Sequence, residues 1–149
     1  MPTELRFADD EDALRYEPRL DDVLPRTDHE GARVHNWDVQ WGLAMDELDR
    51  RLRSHQITPR GFSLGRLSPR SRDRLRDVVV CWFLHFVFLA AGTQGDGDGF
   101  HARKARHYMG RANAIFDTEV MALDYDSDGS GAFSEAEIDR PQPRPFIRG

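Results

Sequence analysis

From residue 36 onward the chain settles into a helical rhythm. Trp37, Trp41, Met45, Leu48 and Leu52 recur at steps of three and four, which puts them on one stripe of a helix running to about His55. Asn36 suits the cap of that helix, with Asp38 near the positive end of its dipole. Asp46, Glu47, Asp49, Arg50 and Arg53 fall on the opposite, solvated face. Residues 56–67 (QITPRGFSLGRL) contain Pro59, Gly61 and Gly65 and read as a loop. Ser68-Pro69 then opens a second helix, with serine as N-cap and proline in the first helical position. After an Arg-rich start, residues 78–91 (VVVCWFLHFVFLAA) are apolar nearly all round, the mark of a central helix. A glycine-rich connector at 92–99 leads to a third helix from about His101 to Tyr125. Its apolar side carries Ala105, Tyr108, Met109, Ala112, Ile115, Phe116, Val120 and Leu123.

The two ends lack such periodicity. Residues 1–35 carry Pro2, Pro18 and Pro25 and are expected to form an extended acidic arm with room for one short turn. The tail RPQPRPFIRG cannot continue a helix, because Pro141, Pro143 and Pro145 remove donors and favour extended backbone. The expected fold is therefore all-α: a small bundle of three main helices with extended N- and C-terminal arms. Its parts are an acidic arm at 1–35, the bundle at 36–125, an acidic loop at 126–137 and an extended arm at 138–149.

With 149 residues the chain is long enough for one domain with its own core. The apolar run at 78–91 falls short of the ~20 residues a bilayer span needs, so no membrane contact is expected. The N-terminus has no basic segment followed by an apolar one, which argues against a secretory signal. The single cysteine, Cys81, excludes an internal disulfide and sits where a packed core thiol belongs.

Charge is segregated along the chain. Residues 1–31 hold ten acids against four arginines, and residues 50–76 hold nine arginines against Asp73 alone. Residues 117–139 hold eight acids and no base. Such blocks favour electrostatic docking of one segment on another, within the chain or between copies. Arginines at the start of a helix oppose its dipole. Arg66, Arg70, Arg72, Arg74 and Arg76 are therefore candidate contacts for a protein partner or for a nucleic-acid backbone, beside the plainer reading of a solvated face.

One stretch carries recognisable chemistry. DSDGSGAFSEAE, residues 126–137, matches a calcium loop, in which a hard cation takes oxygen ligands at positions 1, 3, 5, 7, 9 and 12 and glycine at 6 makes the turn. Asp126 is then first, followed by Asp128, Ser130, the Ala132 carbonyl, Ser134 and a bidentate Glu137, with Gly131 at the turn and Phe133 at the apolar position. A register starting at Asp124 loses that apolar residue. The third helix is expected to lead into the loop, but Pro141 forbids a full helix after it. No second loop is present to pair with it, since a register from Asp96 in GTQGDGDGFHAR places His101 at position 6, where glycine makes the turn, and His107 at position 12. The cation, calcium, is expected to act as a fixed clip rather than a switch. The six histidines show no metal-protease or zinc spacing, and no phosphate loop or nucleophile elbow is present, so no enzyme is expected.

The order RYEPRLDDVLP, WDVQWGLAMDELDRRLRSHQI, LRDVVVCWFLHFVFLAA and LDYDSDGSGAFSEAEIDRP resembles the head–tail connector proteins of tailed bacteriophages, also called adaptor or head completion proteins. The resemblance covers roughly residues 12–149. It implies a non-catalytic virion protein made in the host cytoplasm and placed in the neck between head and tail. Such proteins form a ring, typically of twelve copies, below the portal protein; the ring extends the DNA channel and docks the next tail protein. Non-specific contact with channel DNA would then be available to the Arg-rich surface. The alternative is a stand-alone calcium-binding regulatory or protein-interaction module.

Overall fold

The computed structural model describes residues 6–26, 37–55, 62–92 and 99–125. Six α-helices follow one another: α1 (Asp10–Tyr16), α2 (Leu20–Val23), α3 (Asp38–Ser54), α4 (Pro69–Arg74), α5 (Arg76–Gly92) and α6 (Phe100–Glu119). Short 3-10 turns stand at Leu64–Arg66 and Val120–Ala122. Among the described residues there is no strand, only one isolated antiparallel bridge between Leu67 and Tyr125.

The arrangement follows from α5, which has no polar face to turn outward. Val78 through Leu84, with Val87 and Phe88, are completely buried. α6 packs along it, and α3 lies against it through Trp41, whose ring stacks on Phe83 at 3.8 Å. The stripe read from the sequence of α3 is the buried one, with Trp41, Met45, Leu48 and Leu52 inside. Asp46, Arg50 and Arg53 are exposed as expected. Asn36 lies outside the described residues.

The N-terminal segment is not an arm over residues 6–26. Asp9 caps α1 by accepting from the Asp12 amide, while the Asp12 side chain accepts from the Asp9 amide. Asp10, Glu11 and Asp12 suit the positive end of that short helix. The segment is then drawn onto the bundle by apolar burial, with Ala13 and Leu20 fully buried and Phe7 and Leu24 nearly so. Two indoles hold it: Trp37 Nε1 donates to the Leu24 carbonyl at 2.9 Å and Trp41 Nε1 to Asp10 at 2.7 Å. Just beyond α1, Glu17 accepts from Lys104 Nζ (2.7 Å) and from the Tyr108 hydroxyl, joining this segment to α6. Prolines at 18 and 25 bound the helices rather than abolish them.

Two further boundaries differ from the expectation. The helix opening at Ser68 is interrupted at Leu75, whose N–H is shared between the Ser71 and Asp73 carbonyls. Its backbone stays helical and its carbonyl accepts from Val79, so the path resumes after one residue. The third main helix ends at Glu119 rather than Tyr125. Its last residues are pulled away from the helix axis by the contacts described next.

Candidate metal loop and its anchorage

Residues 123–125 form the root of the acidic loop. After the 3-10 turn the backbone becomes extended at Leu123, with φ −81° and ψ 138°. Asp124 then enters a pocket made by the start of α4. Ser68 caps that helix by accepting from the Ser71 amide, and Pro69 follows in the first turn. The same two serines receive Asp124 on both sides of its peptide. The Ser68 amide donates to the Asp124 carbonyl at 3.2 Å, and the Asp124 amide donates to Ser71 Oγ at 2.6 Å. The Asp124 carboxylate accepts from Ser68 Oγ at 3.2 Å and from Arg70 Nε and Nη2 at 3.0 and 3.1 Å. Only 4% of Asp124 is exposed, and the forked Arg70 guanidinium supplies the partner a buried carboxyl group needs.

Tyr125 completes the root. It pairs with Leu67 in the antiparallel bridge, its ring stacks on Phe62 at 5.3 Å, and its hydroxyl accepts from the Ser63 amide at 2.9 Å. The expected helical lead into residue 126 is therefore replaced by an extended, side-chain-locked one. A helix through 124 would carry the Asp124 carboxylate and amide away from Arg70 and Ser71 together, and those bonds are worth more than one further helical turn.

With its oxygens engaged by Arg70 and Ser68, Asp124 serves as an anchor of the bundle's C-terminal end. The expected ligand set, Asp126, Asp128, Ser130, Ala132, Ser134 and Glu137, lies outside the described residues. Hard oxygen donors in that order suit calcium better than a soft or transition metal. Among the described residues no cluster of three or more metal-ligating side chains occurs.

No family model, curated protein or solved structure matches this chain.

The Arg-rich candidates are mostly engaged within the molecule. Arg70 holds Asp124, Arg74 reaches Glu119 at 3.2 Å, and Arg76 reaches Asp73 at 2.8 Å. Arg72 donates to the carbonyls of Leu67 (3.1 Å) and Gly65 (2.8 Å). Arg66 is exposed on the 3-10 turn and makes no side-chain ion pair among the described residues. The five residues thus gather at one end of the bundle, but four of them serve the root of the loop or the ends of α4 and α6. The α3 arginines behave alike: Arg50 and Arg51 share Glu47, and Arg53 pairs with Asp49. Burial alone would raise the Glu47 pKa, but hydrogen bonds from Arg50 and Arg51 prevail and hold its carboxyl below the ordinary value.

The remaining sequence candidates take structural places. Cys81 is fully buried, and burial pushes its thiol up to about 11. His85 is partly buried and donates Nδ1–H to the Ala105 carbonyl at 2.7 Å, tying α5 to α6. No helix among the described residues is long and apolar enough to cross a membrane. What the sequence reading missed is Asp124 as an anchor. The available signal was an acid at the end of the third helical stretch in a chain whose Ser-Pro helix start carries an arginine at its second position.

Proposed function

We propose that this chain is a structural head–tail connector subunit whose bundle is a rigid platform and whose C-terminal segment, clipped by calcium at residues 126–137, contacts neighbouring subunits. One observation carries the reading: the segment leaves the bundle from a locked root, with Asp124 buried against Ser68, Ser71 and Arg70, and Tyr125 bridged to Leu67. A locked root transmits no helix swing. A calcium sensor of the helix-opening kind needs a mobile helix against the loop, so a locked root supports the fixed clip over the regulatory alternative. The acidic loop and the resemblance to connector sequences support the same reading.

Two measurements test it. Mass photometry or electron cryo-microscopy of the chain with portal and neck proteins should give ring-sized particles; a monomer that never enters a particle overturns the connector reading. Titration with calcium should show binding that Glu137→Gln weakens about tenfold or more, through loss of the bidentate ligand. Far-UV dichroism of the bundle should stay flat through that titration, and the variant should lose assembly before it loses helix. A large calcium-driven gain in dye-accessible apolar surface would favour the regulatory module.

A further inference from the structure

The first 17 residues of α6, positions 100–116, contain Arg103, Lys104, Arg106 and Arg111 and no acid. Lys104 is paired with Glu17, and the Arg111 guanidinium lies over the Tyr16 ring at 5.1 Å. Arg103 and Arg106 are exposed and make no ion pair among the described residues, unlike nearly every arginine described on α3 and α4. With His107 and Gly110 they follow helical spacing along one exposed face. At Gly110 an added Cβ would meet nothing within 4 Å, so the C-terminal end of the face is open to close approach. Like charges one turn apart near the positive end of a helix repel each other and oppose the dipole. An anionic partner removes both penalties.

We propose that the α6 face formed by Arg103, Arg106 and His107 around Gly110 docks the acidic segment 126–139 of a second copy of this chain. Charge complementarity within the sequence names the occupant: residues 126–139 hold five acids and no base, of which Glu135 and Asp139 are outside the expected calcium ligands, in a chain of net charge −5. A phosphate backbone is the poorer fit for so acidic a molecule. The same chain's own segment is also disfavoured, because Arg106 lies about 20 Å along the axis from Glu119 at 1.5 Å per residue. The contact is head-to-tail, the kind that closes into rings when its rotation permits. It deepens the connector reading by naming the face through which copies meet.

The test uses the full chain with calcium in sedimentation velocity at low salt. Wild type should self-associate and should dissociate as salt rises from about 0.05 to about 0.5 M. Arg103→Glu/Arg106→Glu and, separately, Glu135→Arg/Asp139→Arg should each weaken association about tenfold or more. An equimolar mixture of the two should regain it, because each face then finds a segment of opposite sign. Arg103→Ala/Arg106→Ala, at exposed helix positions, guards against a folding defect. A wild-type chain still monomeric at about 100 μM, variants that associate normally, or a mixture that fails to regain association each overturn the inference. So does salt-sensitive duplex DNA retention that the Arg103→Glu/Arg106→Glu pair abolishes while self-association persists. If these variants enter portal particles normally, the connector reading stands without this face. If the face mediates association but no particle forms, the face stands and the connector reading falls.

Discussion

Asp124 and Cys81 mark two ways in which this bundle treats a buried ionisable group. Asp124 is met by charge and hydroxyl: Arg70 and Ser68 donate to its carboxylate, and Ser71 Oγ accepts from its backbone amide. Asp124→Ala should remove the carboxylate that Arg70 and Ser68 donate to, costing about 2 kcal/mol in urea unfolding. The lower end of the buried-pair range applies because Arg70 remains half exposed and can recover water. Asp124→Asn, which keeps acceptor and shape, should cost less. Cys81 has no such partner, and burial raises its pKa to about 11. It should therefore resist a disulfide reagent at pH 8 in the native chain and react fully after denaturation. Rapid native reaction would show that α5 opens more readily than its packing implies.

At the scale of elements, legibility followed apolar content. α3 and α5 were readable because their buried positions outnumber the exceptions, and the structure places α3 at Asp38–Ser54 against an expectation of about 36–55. α1 and α2 were not, since seven- and four-residue helices hold too few turns to display a period. Their cue was local: Asp9 before Asp10, Glu11 and Asp12 is an acidic N-cap signature with Ala13 behind it. What fixes them is tertiary, above all Trp41 Nε1 on Asp10 and the Arg26 guanidinium between Asp10 and Asp21. The end of α6 was illegible for the same reason, because Ser68 and Ser71 lie more than fifty residues from Asp124. Of the candidate site, the expected ligand spacing lies outside the described residues, and the root was not readable in the sequence. Trp41→Phe keeps the ring stack on Phe83 but loses the indole donor. Hydrogen exchange should then accelerate in α1 and α2 and remain unchanged in α5; uniform acceleration would mean that the N-terminal helices and the core open as one unit.

Over the whole molecule, paired carboxylates set the acid limit. The Arg26 hydrogen bond holds Asp21 below its ordinary value, and Arg50 with Arg51 does the same for Glu47 against the opposing effect of burial. Folded-state values depressed in this way mean that the unfolded chain takes up protons first. The stabilisation is complete above the usual carboxylate range near pH 4 and is lost as pH falls through the lower folded-state values. Thermal midpoints measured from neutrality downward should hold steady and then decline, and Glu47→Gln should make the decline shallower.

The root of the loop also bears on the order of folding. α5 and α6 are neighbours in the chain and can zip together early, whereas Asp124 meets Ser71 and Ser68 across separations of 53 and 56 residues. A contact closed over so long a stretch forms after the helices that bring its ends together. Asp124→Ala should therefore leave the refolding rate nearly unchanged and put its cost into faster unfolding, a φ-value near zero in stopped-flow kinetics. During synthesis, residues 126–149 would then emerge onto a bundle already assembled, with their point of departure the last part to be secured.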